Sequence, residues 1–237
     1  MVMKIDFSTI QKLFVENGLE LEASQYQAFE VYGEFLVEYN KKVNLTSITE
    51  PIEIWKKHFL DSIYPLKLVD IPVDSSMIDV GTGAGFPSVP MAIYRNDLKI
   101  TMLDSLQKRI NFLEQLAVKT GLNSWQCIHG RAEDMGKDLE YREKYDIAVA
   151  RAVASLPVLC EYCMPFVKIG GSFIALKGPN ENTVDAANAV SELGGEIINE
   201  IPYNICGDDR KLIVIGKVSQ TPTKYPRRSK RIQQMHL

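Results

Sequence analysis

The chain has 237 residues, 46% hydrophobic and 24% charged, with a formal net charge of −3. That is the make-up of an ordinary globular protein with one good core and a small appendage, and it argues against a strongly basic nucleic-acid binder. No apolar run approaches the ~18 residues of a membrane span, and Lys4, Asp6 and Glu16 leave no room for an apolar signal segment, so a cytoplasmic protein is expected.

Residues 1–70 read as helices. Ser8 with Gln11 and Ser24 with Gln27 form capping-box pairs, and Gly18 is a stop. Tyr26, Phe29, Tyr32, Phe35, Leu36 and Tyr39 recur at helical spacing and are expected to be the face on which these helices pack. Glu50-Pro51 opens a further helix through Trp55, His58 and Leu60 toward Leu68. Asn44, His58 and Asp61 in this segment either line a substrate pocket or simply cap and pack.

After Asp70-Ile71-Pro72 the pattern changes to strands alternating with helices. Strands are expected at Met77–Val80, Lys99–Leu103, Ser124–Ile128, Tyr145–Ala150 and Ser172–Leu176, the last after a Gly170-Gly171 turn. Helices are expected at Ser88–Arg95 and at Leu106–Lys119, the latter with Leu106, Ile110, Leu113 and Leu116 on one face. Two final strands, near Gly195–Ile201 and Lys211–Val218, have no helix between them and suggest an antiparallel edge hairpin. The alternation predicts an α/β fold, a doubly wound and mostly parallel seven-stranded sheet with an N-terminal helical extension. The organisation is 1–70 helical, 71–218 the sheet domain, and 219–237 a tail with Lys224, Arg227, Arg228, Lys230 and Arg231 but no acid. That tail either contacts phosphates or is a solvated terminus. Cys160-x-x-Cys163 suits one face of a buried helix, and no metal ligand set is expected.

The segment that names a chemistry is Ser76 to Phe86, an apolar strand running into Gly81, Gly83 and Gly85. Glycines there let the backbone turn and approach a ligand, and Pro87 suits a helix start beside it. Asp104 ends the next strand about 20 residues beyond, the spacing at which an acid accepts hydrogen bonds from a ribose. A dinucleotide loop would have glycine at the position of Phe86, and a P-loop would have Lys after Gly85. S-adenosylmethionine carries a ribose and an adenine without a pyrophosphate, and suits the loop better. Ligands in such sheets lie outside the carboxyl ends of the strands, which adds Ala132, Glu133, Arg151 and Lys177 as site candidates.

The run Asp79-Val80-Gly81-Thr82-Gly83-Ala84-Gly85-Phe86-Pro87, with Tyr39 to Thr46, His58 to Ser62, Leu103-Asp104-Ser105, Arg131-Ala132-Glu133, Ala150-Arg151-Ala152 and Ala175 to Gly178, closely resembles the bacterial small-subunit ribosomal RNA guanine-N7 methyltransferases. The resemblance covers nearly the whole chain. It implies a class I S-adenosylmethionine-dependent fold and transfer of a methyl group to a guanine N7 of 16S RNA, free or in the small-subunit particle. It places Gly81, Phe86, Asp104, Ala132, Glu133 and Arg151 on the cofactor. With the loop neighbours Gly83, Gly85 and Ser105 these form the candidate cofactor set; Asn44, His58, Asp61 and Lys177 are substrate-side candidates, and a monomer is expected. Ser88 stands where the family usually has Gly, and the tail after Tyr225-Pro226-Arg227 departs from its usual Gly and Pro.

Guanine N7 offers an unprotonated lone pair, so its methylation needs alignment rather than a general base. The strand-four end lacks the Asn or Asp followed by Pro-Pro that serves exocyclic amines, and no Cys follows a Pro as pyrimidine C5 attack would need. The alternatives are a methyltransferase acting on a small molecule or protein, and a non-catalytic RNA-binding module.

Overall fold

The computed structural model describes residues 4–122, 125–151 and 154–237. The expected strand start at Ser124 and the Ala152 of the Ala150-Arg151-Ala152 match lie outside the described residues. Helices α1 (Phe7–Glu16) and α2 (Ala23–Asn40) are capped by Asp6 and Glu22, two residues before the expected Ser8 and Ser24. Asp6, in extended backbone, accepts the Thr9 N–H at 3.0 Å, and Glu22 forms the capping box with Gln25. Each carboxylate precedes the serine of the expected pair and reaches the orphan N–H groups first.

The third helical stretch, 51–68, is broken. It comprises Pro51–Ile54, a π-helical turn Trp55–Leu60, Asp61–Ile63 and Pro65–Leu68. Its Trp55 and Phe59 receive the aromatic stripe of α2: Tyr26 stacks on Trp55 at 5.6 Å, and Phe29 lies 4.8 Å from Phe59. The stripe is core, as its spacing predicts.

Seven strands follow: β1 (Ser76–Val80), β2 (Lys99–Asp104), β3 (Trp125–His129), β4 (Tyr145–Arg151), β5 (Val167–Lys177), β6 (Gly195–Ile205) and β7 (Asp208–Lys217). Their order is β3-β2-β1-β4-β5-β7-β6, with β1 to β5 parallel and β7 antiparallel to both neighbours. Val80 pairs with Leu103, Asp104 with His129 and Arg151 with Leu176, which aligns the carboxyl ends on one rim. The expected turn at Gly170-Gly171 is instead an irregularity inside β5, where pairing jumps from Tyr145–Val167 to Ile147–Ser172.

Two cores cover the sheet. One joins α1, α2 and 51–68 to the helices Ser88–Tyr94 and Gln107–Thr120; the other contains the helix Leu156–Cys163 and reaches Tyr225 and Ile232 of the tail. Leu106 is exposed and precedes its helix, and Phe112 is buried in its stead. Cys160 and Cys163 are both buried, and burial pushes the Cys160 thiol up to about 12. Among the described residues, no helix is long and apolar enough to cross a membrane.

Candidate functional site

The carboxyl-end rim opens into one trough of three joined parts. The first, about 350 Å³, lies beside Ala132 and Glu133; the second, about 400 Å³, lies over Gly83, Phe86 and Thr46; the third, about 420 Å³, lies among Asp61, Lys177, Tyr203 and Arg210. Gly81, Asp104 and Ser105 line both the first and the second, while His58 and Arg151 line both the second and the third. Each part has the size of a small-ligand pocket.

The glycine loop is built from both sides. Gly83 has φ +63°, and a Cβ there would meet nothing closer than the Gly81 carbonyl at 4.0 Å, so its open side faces the trough. Gly85 serves another purpose: a Cβ would meet Val89 at 2.5 Å, Leu113 at 2.9 Å and the Tyr32 hydroxyl at 3.2 Å. Its missing side chain permits packing rather than ligand approach. The Tyr32 hydroxyl, fully buried, donates to the Ala84 carbonyl at 2.5 Å. The start of the helix Ser88–Tyr94 turns to the buried Asp79 carboxylate, to which the Ser88 hydroxyl donates at 2.5 Å. Glycine at that position could not supply this bond. Burial still pushes Asp79 up to about 7, and its Oδ1 has no hydrogen-bond partner.

Asp104 ties the loop to β2. Its Oδ2 accepts from Gly83 N at 2.9 Å and from Arg109 Nη1 at 3.1 Å, and its Oδ1 accepts from Leu106 N at 2.9 Å. A carboxylate offers about four acceptor sites, so one is left toward the trough.

Arg151 stands at the junction of the second and third parts. Its guanidinium lies 4.9 Å above the Phe86 ring, donates to Asp61 Oδ2 at 3.1 Å and to the Lys57 carbonyl at 3.2 Å, and approaches His58 Nδ1 at 3.4 Å. His58 stacks on Phe86 at 4.3 Å, and its Nε2 contacts Thr46 Oγ1 at 2.8 Å. These contacts assign the Nε2–H tautomer, with Nδ1 accepting from Arg151. Burial first, then the Arg151 charge, lowers His58 to about 4, so its ring is neutral at neutral pH.

The structure places Asn44 exposed and outside the trough. The Asn40 side chain takes the Leu45 and Thr46 N–H groups at 2.7 and 2.9 Å, and Leu45 and Thr46 face the trough instead. Asp61 is buried between Arg151 and Arg210, and Lys177 donates to the Ala154 carbonyl at 2.6 Å beside Glu181.

Arg210 carries no signal in the carboxyl-end rule, because β7 is antiparallel and meets the rim at its beginning; Tyr203, near the carboxyl end of β6, lies beyond the strand expected at Gly195–Ile201. The hairpin spacing held that information: Pro202 to Arg210 span the far ends of both strands. Tyr203 is 9% exposed, stacks on Tyr64 at 5.3 Å, and its hydroxyl has no hydrogen-bond partner.

Comparison with known proteins decides the family. The model of rRNA small subunit methyltransferase G matches residues 25–205. The chain belongs to this family. It is 46% identical over 227 residues to the Ribosomal RNA small subunit methyltransferase G of Desulforamulus reducens, covering 93% of this chain and 94% of that one. To the protein of the same name from Clostridium botulinum it is 49% identical over 226 residues, covering 94% and 95%. Among solved structures, the fold of the family is shared with a 16S rRNA (adenine(1408)-N(1))-methyltransferase mutant with cosubstrate SAM from Catenulisporales acidiphilia, at TM-score 0.54 and 13% identity over 63% of this chain and 88% of that one. TrmN from Thermus thermophilus aligns at TM-score 0.52 and 16% identity, covering 66% and 48%.

Proposed function

We propose that this chain transfers the methyl group of S-adenosylmethionine to N7 of a guanine in small-subunit ribosomal RNA, acting as a monomer in the cytoplasm on the RNA or its particle. Family membership makes it an S-adenosylmethionine-dependent ribosomal RNA methyltransferase. The residues fit the cofactor: Gly83 offers open space where a side chain would stand, and Asp104 keeps an acceptor site for a ribose hydroxyl. When bound, S-adenosylmethionine supplies an electrophilic sulfonium methyl group. In this reading Gly81, Gly83, Asp104 and Ser105 hold the ribose, Ala132 and Glu133 flank the adenine, and Phe86 and Arg151 hold the methionine end. Gly85 supports the loop from behind.

The observation that carries the reading is the junction at Arg151 and His58, where the donor side of the trough meets the third part. We place the target guanine in that third part. Both ring nitrogens of His58 are engaged, which makes it a positioning group, and an acceptor whose lone pair bears no proton suits such a junction. Tyr203 lines this part with a buried hydroxyl that has no hydrogen-bond partner, and Asp61 lies where positive charge grows on the purine as N7 is alkylated. Alignment of the two reactants is the main source of rate, on the order of 7–11 kcal/mol. Residues 71–218 carry most of both sites, and 1–70 contribute Leu45, Thr46, His58 and Asp61.

The test is transfer of labelled methyl to small-subunit RNA or particles from cells lacking the enzyme, mapped by borohydride and aniline scission at N7-methylated guanine. Label at one guanine is expected. Label elsewhere on the RNA, or RNA-independent turnover of a small molecule or protein, overturns the assignment.

A further inference from the structure

The tail expected as a solvated terminus or a phosphate contact is folded against the crevice that begins at Ala132. Arg227 grips Glu161, a side chain 1% exposed: its Nε donates to Oε1 at 2.9 Å, its Nη2 to Oε2 at 2.7 Å, and its backbone N–H to Oε1 at 2.7 Å. Ile232 is fully buried in the core behind the sheet, and the Ser229 hydroxyl meets the Tyr162 hydroxyl at 3.0 Å. These three anchors fix the short helix Ser229–Gln234 along the helix Leu156–Cys163. As a result Ser229, Gln233 and His236 line the same part of the trough as Ala132 and Glu133, opposite Asp104 and Ser105. The tail's outward side carries Lys224, Arg228, Lys230 and Arg231, all exposed, so the side-chain amide of Gln233 is set apart from the cations.

We infer that the C-terminal helix completes the cofactor site, with Gln233 reading the adenine edge. Adenine presents an amino donor beside a ring-nitrogen acceptor, and a carboxamide pairs with such an edge through both its groups at once. His236 adds a planar wall, its Nδ1 3.3 Å from the Ile232 carbonyl. The inference rests on the trough being the cofactor site and deepens that reading by assigning its adenine specificity to the tail.

Isothermal titration with S-adenosylhomocysteine and with its inosine counterpart, in which the 6-amino group is replaced by oxygen, tests it on three proteins besides the full chain. These are Gln233→Ala, Gln234→Ala, which changes a neighbour outside the crevice, and a chain ending at Arg228 that keeps the Arg227–Glu161 grip. The full chain is expected to prefer the adenosine compound. Gln233→Ala should lose affinity at least about fivefold and most of that preference, as loss of a paired base edge implies. The shortened chain should lose more, and Gln234→Ala should match the parent. Equal affinity and equal preference in Gln233→Ala and the parent overturn the inference, whatever the shortened chain does. Failure of the full chain to bind S-adenosylhomocysteine at all sinks the cofactor reading of the trough instead.

Discussion

At Gly85 an added methyl group would run into Val89, Leu113 and the Tyr32 hydroxyl, whereas at Gly83 it would enter the trough. Both have positive φ, +93° and +63°, a strain of roughly 1–2 kcal/mol for an L side chain. Gly85→Ala adds overpacking of about 1–3 kcal/mol, so thermal melts should show a fall of several degrees. Gly83→Ala should stay folded, with a smaller fall, and lose cofactor affinity on titration. The glycine pattern in the sequence announces a ligand loop but does not tell these roles apart, because Leu113 and Tyr32 come from elements remote in the chain. Asp104 was legible by spacing alone; its hold on Gly83 was not. Two buried titrating groups oppose each other beneath the site. His58, lowered to about 4, contributes stability that is intact above about 6.5 and lost as pH falls toward 4. Asp79, raised to about 7, contributes stability that is full below about 4 and lost as pH rises to 7. In Asp79→Asn the second dependence disappears while the first remains. Urea unfolding of variant and parent should therefore show the difference moving in the variant's favour by on the order of 2–3 kcal/mol between pH 5 and pH 8. A difference independent of pH would show that Asp79 does not titrate in that window.

The tail is an element whose charge was visible and whose partner was not. Counting Lys and Arg gives a basic segment, yet Arg227 is committed to Glu161, an acid inside a helix that reads as almost wholly apolar. Breaking one half of such a buried pair costs about 3–5 kcal/mol, because the other charge is left unpaired. Arg227→Met is expected to show that loss in urea unfolding, and the double change with Glu161→Met is expected to regain most of it. Equal instability of the single and double variants would mean that packing of the arginine stem, rather than its charge, holds the tail. The stretch 51–68 is the converse case: its start at Pro51 and its apolar residues were readable, whereas the π turn that carries His58 depends on tertiary contacts with Phe86 and Arg151.

Across the whole molecule, the alternation of apolar strands and helices was sufficient to predict a mostly parallel sheet, and β1 to β5 follow it. The insertion of β7 between β5 and β6 was beyond a reading by periodicity, since strand order is a matter of pairing between distant segments. With it the Tyr203 side of the trough was also missed. The division at residue 70 marks a change of pattern in the sequence but not a gap in the packing, because α1, α2 and 51–68 bury one face of the sheet and its helices. A chain starting at residue 71 would expose Val89, Phe112 and Leu113 together. Far-UV and near-UV circular dichroism should find it with secondary structure but without fixed tertiary packing, and a native-like near-UV spectrum would show that the sheet domain stands alone. The bond from Tyr32 to Ala84 gives that dependence a chemical meaning. A phenol from the amino-terminal third braces the peptide that must sit still while a methyl group changes hands, so transplanting the glycine motif into another scaffold would carry over its letters without its strut.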